Sequence, residues 1–213
     1  MHRIPVRTFS INLVKHLTSR FVPALALTSA MLLAFPEAAP AQHAGHGQIK
    51  IPAGAIYTVA DVEFMQGMIA HHAQAIYMSR MAEAHKASPR LIKLATKIDQ
   101  SQVAEIRIMQ LWLRDNEQFA PDTSSWRTMM MPGMLTEEQL KKLDAATAVE
   151  FDRLFLELMI VHHEGALQMV TALFAKPGAG QEVDVNVFAN DVVTVQTAEI
   201  GAMRQMLAQL PNQ

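Results

Sequence analysis

Residues 61–79, DVEFMQGMIAHHAQAIYMS, return at 152–170 as DRLFLELMIVHHEGALQMV, with Asp, Phe, Met, Ile, His, His, Ala and Met at the same offsets. Eight identities in nineteen positions mark a duplicated unit, and a duplicated unit constrains the fold more than any composition does. A second segment repeats with it. Gln102, Glu105, Ile106 and Met109 recur as Gln196, Glu199, Ile200 and Met203, with a spacing three residues longer. Each copy is therefore a long segment, a turn and another long segment.

The long segments are helices. Asp61, Phe64, Met68, His71, Ala75 and Met78 follow one another at steps of three and four, as do Asp152, Phe155, Met159, His162, Ala166 and Met169, which places each set on one helical stripe. Ser88-Pro89 reads as an N-cap with proline at the first helical position. Thr136-Glu137-Glu138-Gln139 is a capping-box pattern, and Pro177-Gly178-Ala179-Gly180 closes the third long helix. The spacing predicts helices near 58–86, 89–118, 147–175 and 183–210, with a short helix near 137–144. The expected architecture is all-α: a four-helix up-down bundle of two repeated hairpins, about 58–118 and 147–210, plus a short linking helix.

The N-terminus reads as an address. Residues 1–20 carry Arg3, Arg7, Lys15 and Arg20 without an acid, and Phe21 to Phe35 form an apolar run too short to span a bilayer comfortably. Ala39-Pro40-Ala41 then supplies a small-x-small cleavage site, so 1–41 is expected to be an export signal that directs the chain to the periplasm or beyond. A mitochondrial-type presequence and an uncleaved anchor are the alternatives. Its removal takes four of 18 basic residues and one of 20 acids, leaving 14 against 19. A mildly acidic chain without a basic block does not suit phosphate neutralisation, so nucleic acid is not an expected partner. Residues 42–57 form a tail with His43 and His46, and the bundle domain occupies 58–213.

The repeated polar residues carry the chemistry. His71 and His162 lie on the apolar stripes, His72 and His163 sit one step round, and Glu105 and Glu199 recur on the partner helices beside Met109 and Met203. Buried imidazoles need partners for their nitrogens. One reading is structural: the histidines hydrogen-bond the glutamates and lock helix register. The other is metal binding, in which imidazole suits several transition metals and thioether sulfur narrows the choice toward copper(I). Met65, Met81 and Met206 are adequately explained as gap-filling core residues. Met129, Met130, Met131 and Met134, four methionines around Pro132-Gly133, cannot all be core; soft-metal ligation and a hydrophobic plug over the bundle's end both fit them.

Several enzyme classes lack their signature. Di-iron bundles need Glu-x-x-His on two helices, and no glutamate here precedes a histidine by three. The zinc-protease pattern His-Glu-x-x-His is absent, and a chain without cysteine excludes thiol catalysis, thiolate metal sites and c-type haem attachment. No catalytic motif remains.

The doubled F-x-x-x-M-I-x-H-H segments at Phe64–His72 and Phe155–His163, the Gln-x-x-Glu-Ile-x-x-Met segments and the Met-Pro-Gly-Met loop closely resemble the domain of unknown function 305 (DUF305) family over about residues 58–210. That resemblance implies an exported ferritin-like four-helix protein, similar to the CopM-like copper-binding members. It places His71, His72, His162, His163, Met68, Met78, Met159 and Met169 as copper ligands; the repeat adds Met109, Met203, Glu105 and Glu199. One departure is Glu164-Gly165 after the second His-His pair. The expected function is binding of copper(I), and of copper(II) as well, for sequestration, resistance or transfer, with a copper donor or acceptor protein as partner. The expectation from a different class is an envelope interaction bundle with core histidines and no metal, and a metal-dependent oxidoreductase ranks below both.

Overall fold

The structure is a computed structural model that describes residues 49–211; the segment expected to be an export signal, His43 and His46 lie outside the described residues. Among the described residues the regular elements are all helical: α1 (Val59–Ser79), α2 (Pro89–Asp115), α3 (Glu137–Ala145), α4 (Ala148–Phe174) and α5 (Val183–Leu207), with a 3-10 turn at Ser125–Arg127. Among the described residues no helix is long and apolar enough to cross a membrane.

The expected caps form. Thr58 and Asp61 make a capping box at the start of α1, Ser88 accepts from the Leu91 amide, and Thr136 pairs with Gln139 to open α3. Helix α1 stops seven residues short of expectation. Beyond Ser79 the chain continues in looser turns to Lys86, at φ +56°, where the Ala87 amide donates to the Ala82 carbonyl at 3.0 Å. Helix α2 ends in the same way, with Glu117 at φ +56° and a Gln118 to Leu113 bond of 2.7 Å. These six-to-one bonds satisfy the last carbonyls without glycine, which is why the sequence carries no obvious stop signal there.

The two hairpins run antiparallel to one another. One half of the core joins the first half of α1 to the last half of α2, through Phe64, Met68, Ile106, Met109 and Trp112, and to the last half of α4 and the first half of α5, through Met169, Leu173, Val185 and Phe188. The other half holds the opposite ends, including Met78, Leu91, Ile98, Phe155, Met159, Ile200 and Met203. Helices α2 and α4 therefore point the same way. Up-down alternation holds within each hairpin and fails between them, and residues 116–136 travel the length of the bundle to reconnect the chain.

A pseudo-two-fold axis across α1 and α4 accounts for this arrangement. Under it the repeated aspartates exchange services. Asp61 Oδ1 accepts from the Gly180 amide at 2.6 Å, in the turn of the second hairpin, and Asp152 Oδ1 accepts from the Ser88 amide at 3.0 Å, in the turn of the first. Each aspartate is buried, and each ties its own helix to the turn of the other copy.

The returning loop breaks the symmetry at one pair of equivalent positions, Gln74 and Gly165. Gln74 Nε2 donates to the Leu135 carbonyl at 3.1 Å, and Gln74 Oε1 accepts from the Leu135 amide at 2.7 Å. On the other side Gly165 has no Cβ and the loop lies directly on its backbone. Replacing Gln74 with Leu would strand both Leu135 backbone groups in the interior, an expected loss of roughly 2–3 kcal/mol. Urea titration of the variant measures it, and a loss below 1 kcal/mol would show that the loop is held elsewhere.

Candidate metal centre

The four repeated histidines meet in the middle of the bundle, between the two halves of the core, and all four are fully buried. His71 of α1 and His162 of α4 are related by the pseudo-two-fold, and their rings lie against each other with centroids 3.8 Å apart and planes tilted by 41°. His72 and His163 diverge from that central pair, each toward the carboxylate of its own hairpin. His72 Nε2 lies 2.6 Å from Glu105 Oε2, and His163 Nε2 lies 3.0 Å from Glu199 Oε2.

The hydrogen bonds determine which nitrogens remain open. An acceptor oxygen requires the facing ring nitrogen to carry the proton, so a neutral imidazole then keeps its lone pair on the other nitrogen. Nε2 of His72 and of His163 donates to a carboxylate, and Nε2 of His71 donates to the Pro132 carbonyl at 3.1 Å. Nδ1 of all three makes no hydrogen bond, and neither does either ring nitrogen of His162. Such a set of orphaned buried imidazole nitrogens is unusual for a core. It suits a cation that accepts nitrogen lone pairs.

Electrostatics keeps the central pair neutral. Burial lowers the His71 pKa to about 3, with the neighbouring His72 and His163 adding to the shift and the Pro132 carbonyl opposing it. Burial likewise takes His162 well below its ordinary value, and the His71, His163 and His72 rings add to it while the His71 backbone opposes it. For Glu199 burial would raise the pKa, but the His163 hydrogen bond and the Lys97 ammonium, 3.5 Å from Oε1, outweigh it and leave the carboxyl below its ordinary value.

The six repeated methionines divide evenly. Met68, Met109 and Met169 belong to the half of the core on one side of the histidines, and their counterparts Met159, Met203 and Met78 to the other. All are buried. Glu105 and Glu199, grouped with the ligands on sequence grounds, turn a carboxylate oxygen to Nε2 of a histidine, the position of a group that orients a ligand. Among the described residues no three His, Asp or Glu side chains converge as a ready cation cage; the expected meeting of the histidine pairs occurs at His71 and His162 and not at the outer two.

Sequence reasoning missed what roofs this cluster. Met129 and Met134 are buried, Met131 is half-buried and Met130 is 60% exposed, so the methionine loop is part plug and part surface. Its Pro132 carbonyl and Gly133 rest against Gly165, one turn beyond His162. The signal was present in the glycine at 165 where the first copy has glutamine.

No curated protein matches the chain. Solved structures do. A DUF305 protein from Streptomyces coelicolor is 29% identical with a TM-score of 0.61, covering 70% of this chain and 93% of that one. A DUF305 fragment from Deinococcus radiodurans is 30% identical with a TM-score of 0.60, covering 72% and 99%. CopM in its Cu(I)-bound form is 29% identical with a TM-score of 0.58, covering 71% and 98%, and CopM also matches in Cu(II)-bound and Ag-bound forms. The model of the family described as Domain of unknown function (DUF305) matches residues 61–207, which span both histidine pairs, both glutamates and the loop between them, and the chain belongs to that family.

Proposed function

We propose that this protein is an exported copper binder that holds copper(I) among His71, His72, His162 and His163, for sequestration, resistance or delivery to a partner protein. The observation that carries the reading is the set of buried imidazole nitrogens left without partners while carboxylates and a carbonyl occupy the opposite sides of three of the rings. A hydrogen-bonded imidazole with its second nitrogen free is how proteins present histidine to a metal. The nearby thioethers favour the softer oxidation state, and the likeness to copper-bound and silver-bound CopM agrees with a soft ion. Glu105 and Glu199 serve here as orienting groups. The export segment at 1–41 suits a site built from thioether and imidazole, which needs no thiolate that an oxidising compartment would consume. We assign binding and no catalysis.

The buried pair also changes the expected pH response. An exposed histidine site loses its metal as pH falls through about 6.5. His71 and His162 stay neutral well below that, so copper binding should persist to lower pH for as long as the fold does.

Titration of copper(I) against a chromophoric chelator tests the assignment. The His71→Ala/His162→Ala variant should bind more than about 100-fold more weakly, with circular dichroism reporting the fold. The two histidine–glutamate pairs favour a second reading, that of structural locks between α1 and α2 and between α4 and α5. Locks alone predict no rise in melting temperature with copper, whereas a ligand specific for the folded state must raise it.

A further inference from the structure

The histidine cluster is sealed: none of the four rings reaches solvent. Any ion that binds there must pass side chains, and the two copies of the repeat do not offer equal passage. In the second copy's place for residue 67 stands Leu158, and Met78, the first copy's counterpart of Met169, is fully buried. On the other face residue 67 is glycine. A Cβ there would lie 3.1 Å from Met131 Sδ and 3.4 Å from Met169 Cε, so two thioether side chains from different elements cover the same bare patch of α1. They open onto a cavity of about 220 Å3, with Phe64 and Leu173 in its wall and Glu63 and Lys176 exposed at its rim. Three larger hollows contain one methionine each, Met81, Met130 and Met65.

Resting on the copper reading above, we infer that Met131 and Met169 form the capture site through which a soft monovalent cation, copper(I) or silver(I), enters the bundle. Two neutral thioethers bind such an ion without releasing a proton and weakly enough to hand it on to imidazole nitrogen. Their position gives direction to the transfer. Met131 is followed by Pro132, whose carbonyl holds His71 Nε2, so an ion that draws Met131 off Gly67 pulls on the segment that roofs the central histidine pair. The Met131 backbone is hydrogen-bonded only within its own loop, its amide donating to Met134 Sδ at 3.3 Å and its carbonyl accepting from the Met134 amide at 3.1 Å. Gly67, without a side chain, lets the two thioethers lie this close to α1.

The test uses the full chain after signal removal, with silver(I) as probe. In methyl-13C-methionine spectra, the first fractions of an equivalent should shift or broaden Met131 and Met169 before Met68 and Met109, and leave Met130 unmoved. Met131→Leu/Met169→Leu should slow uptake from a chelator at least tenfold and leave the final stoichiometry unchanged, while Met130→Leu, in the same loop, has no effect. Equal rates in the double variant and the wild type, or an early response at Met130 instead, would overturn the entrance and leave the histidine site standing. Failure of the wild type to take up silver(I) or copper(I) at all would remove the site and the entrance together. The methyl spectra of the wild type keep the question open to decision if the double variant folds poorly.

Discussion

Lowering the pH of the metal-free protein from 7 to 5 is expected to remove about 2 kcal/mol of folding stability through His71, and His162 adds a loss in the same direction. Both have folded pKa values below the ordinary 6.5, His71 at about 3. The unfolded chain therefore takes up protons below pH 6.5 that the folded chain refuses. Stability is complete above that value and is lost as pH falls from 6.5 toward 3. Glu199 acts in the same direction at lower pH, because its folded pKa is also depressed and its contribution disappears as its carboxylate is protonated. Against a typical domain stability of about 5–15 kcal/mol the loss is large. Urea denaturation at pH 7, 6 and 5 measures it. A midpoint unchanged between pH 7 and 5 would mean that the two rings are solvated in solution. Saturating copper(I) should raise the whole profile by a near-constant amount, since over this range the folded rings carry no proton for the ion to displace.

Gly165→Ala should be the most damaging methyl group that can be added to this chain. A Cβ at 165 would fall 2.0 Å from the Pro132 carbonyl oxygen and 2.6 Å from the Gly133 Cα. These are backbone atoms, and no rotamer change can move them. Either α4 shifts or the loop lifts. Gly133 cannot absorb the movement cheaply, because it already sits at φ +79° with its own space closed by the Val161 carbonyl. The expected cost is about 3 kcal/mol, at the upper end of ordinary overpacking. The detachment of Pro132 from His71 should accompany it, visible as faster exchange of the Leu135 amide that Gln74 now protects. A melting temperature within a degree of wild type would show that the loop does not rest on α4. Gly201, which has open space around it, provides the control: alanine there should be neutral or stabilising.

The helices, the caps at Thr58, Ser88 and Thr136, and the burial of the repeated histidines and methionines were legible in the sequence, because each follows from local periodicity and from donors and acceptors three or four residues apart. The looser ends of α1 and α2 were not, since Lys86 and Glu117 adopt positive φ without glycine to announce it. The Met129–Met134 stretch was recognised as unusual, but its division into buried Met129 and Met134 and exposed Met130 depends on what the loop lies upon. Gln74 and Gly165 were equally hidden. As isolated letters they are an ordinary helical glutamine and a weak helix former, and they acquire meaning only as equivalent positions beneath one asymmetric loop.

Legible in the linear string are the two helical hairpins, the first histidine of each adjacent pair on the apolar stripe with the second one step round, and sulfur and imidazole as the donors at hand. Periodicity and duplication are local properties that survive in a linear string. The antiparallel run of the hairpins, which brings His71 to His162 and not to the outer pair, and the engagement of one nitrogen on three of the rings by Glu105, Glu199 and Pro132 come from long-range packing. Those outcomes depend on contacts between residues 33 to 91 positions apart, where the packing of whole helix faces, and no short-range preference, selects the partner.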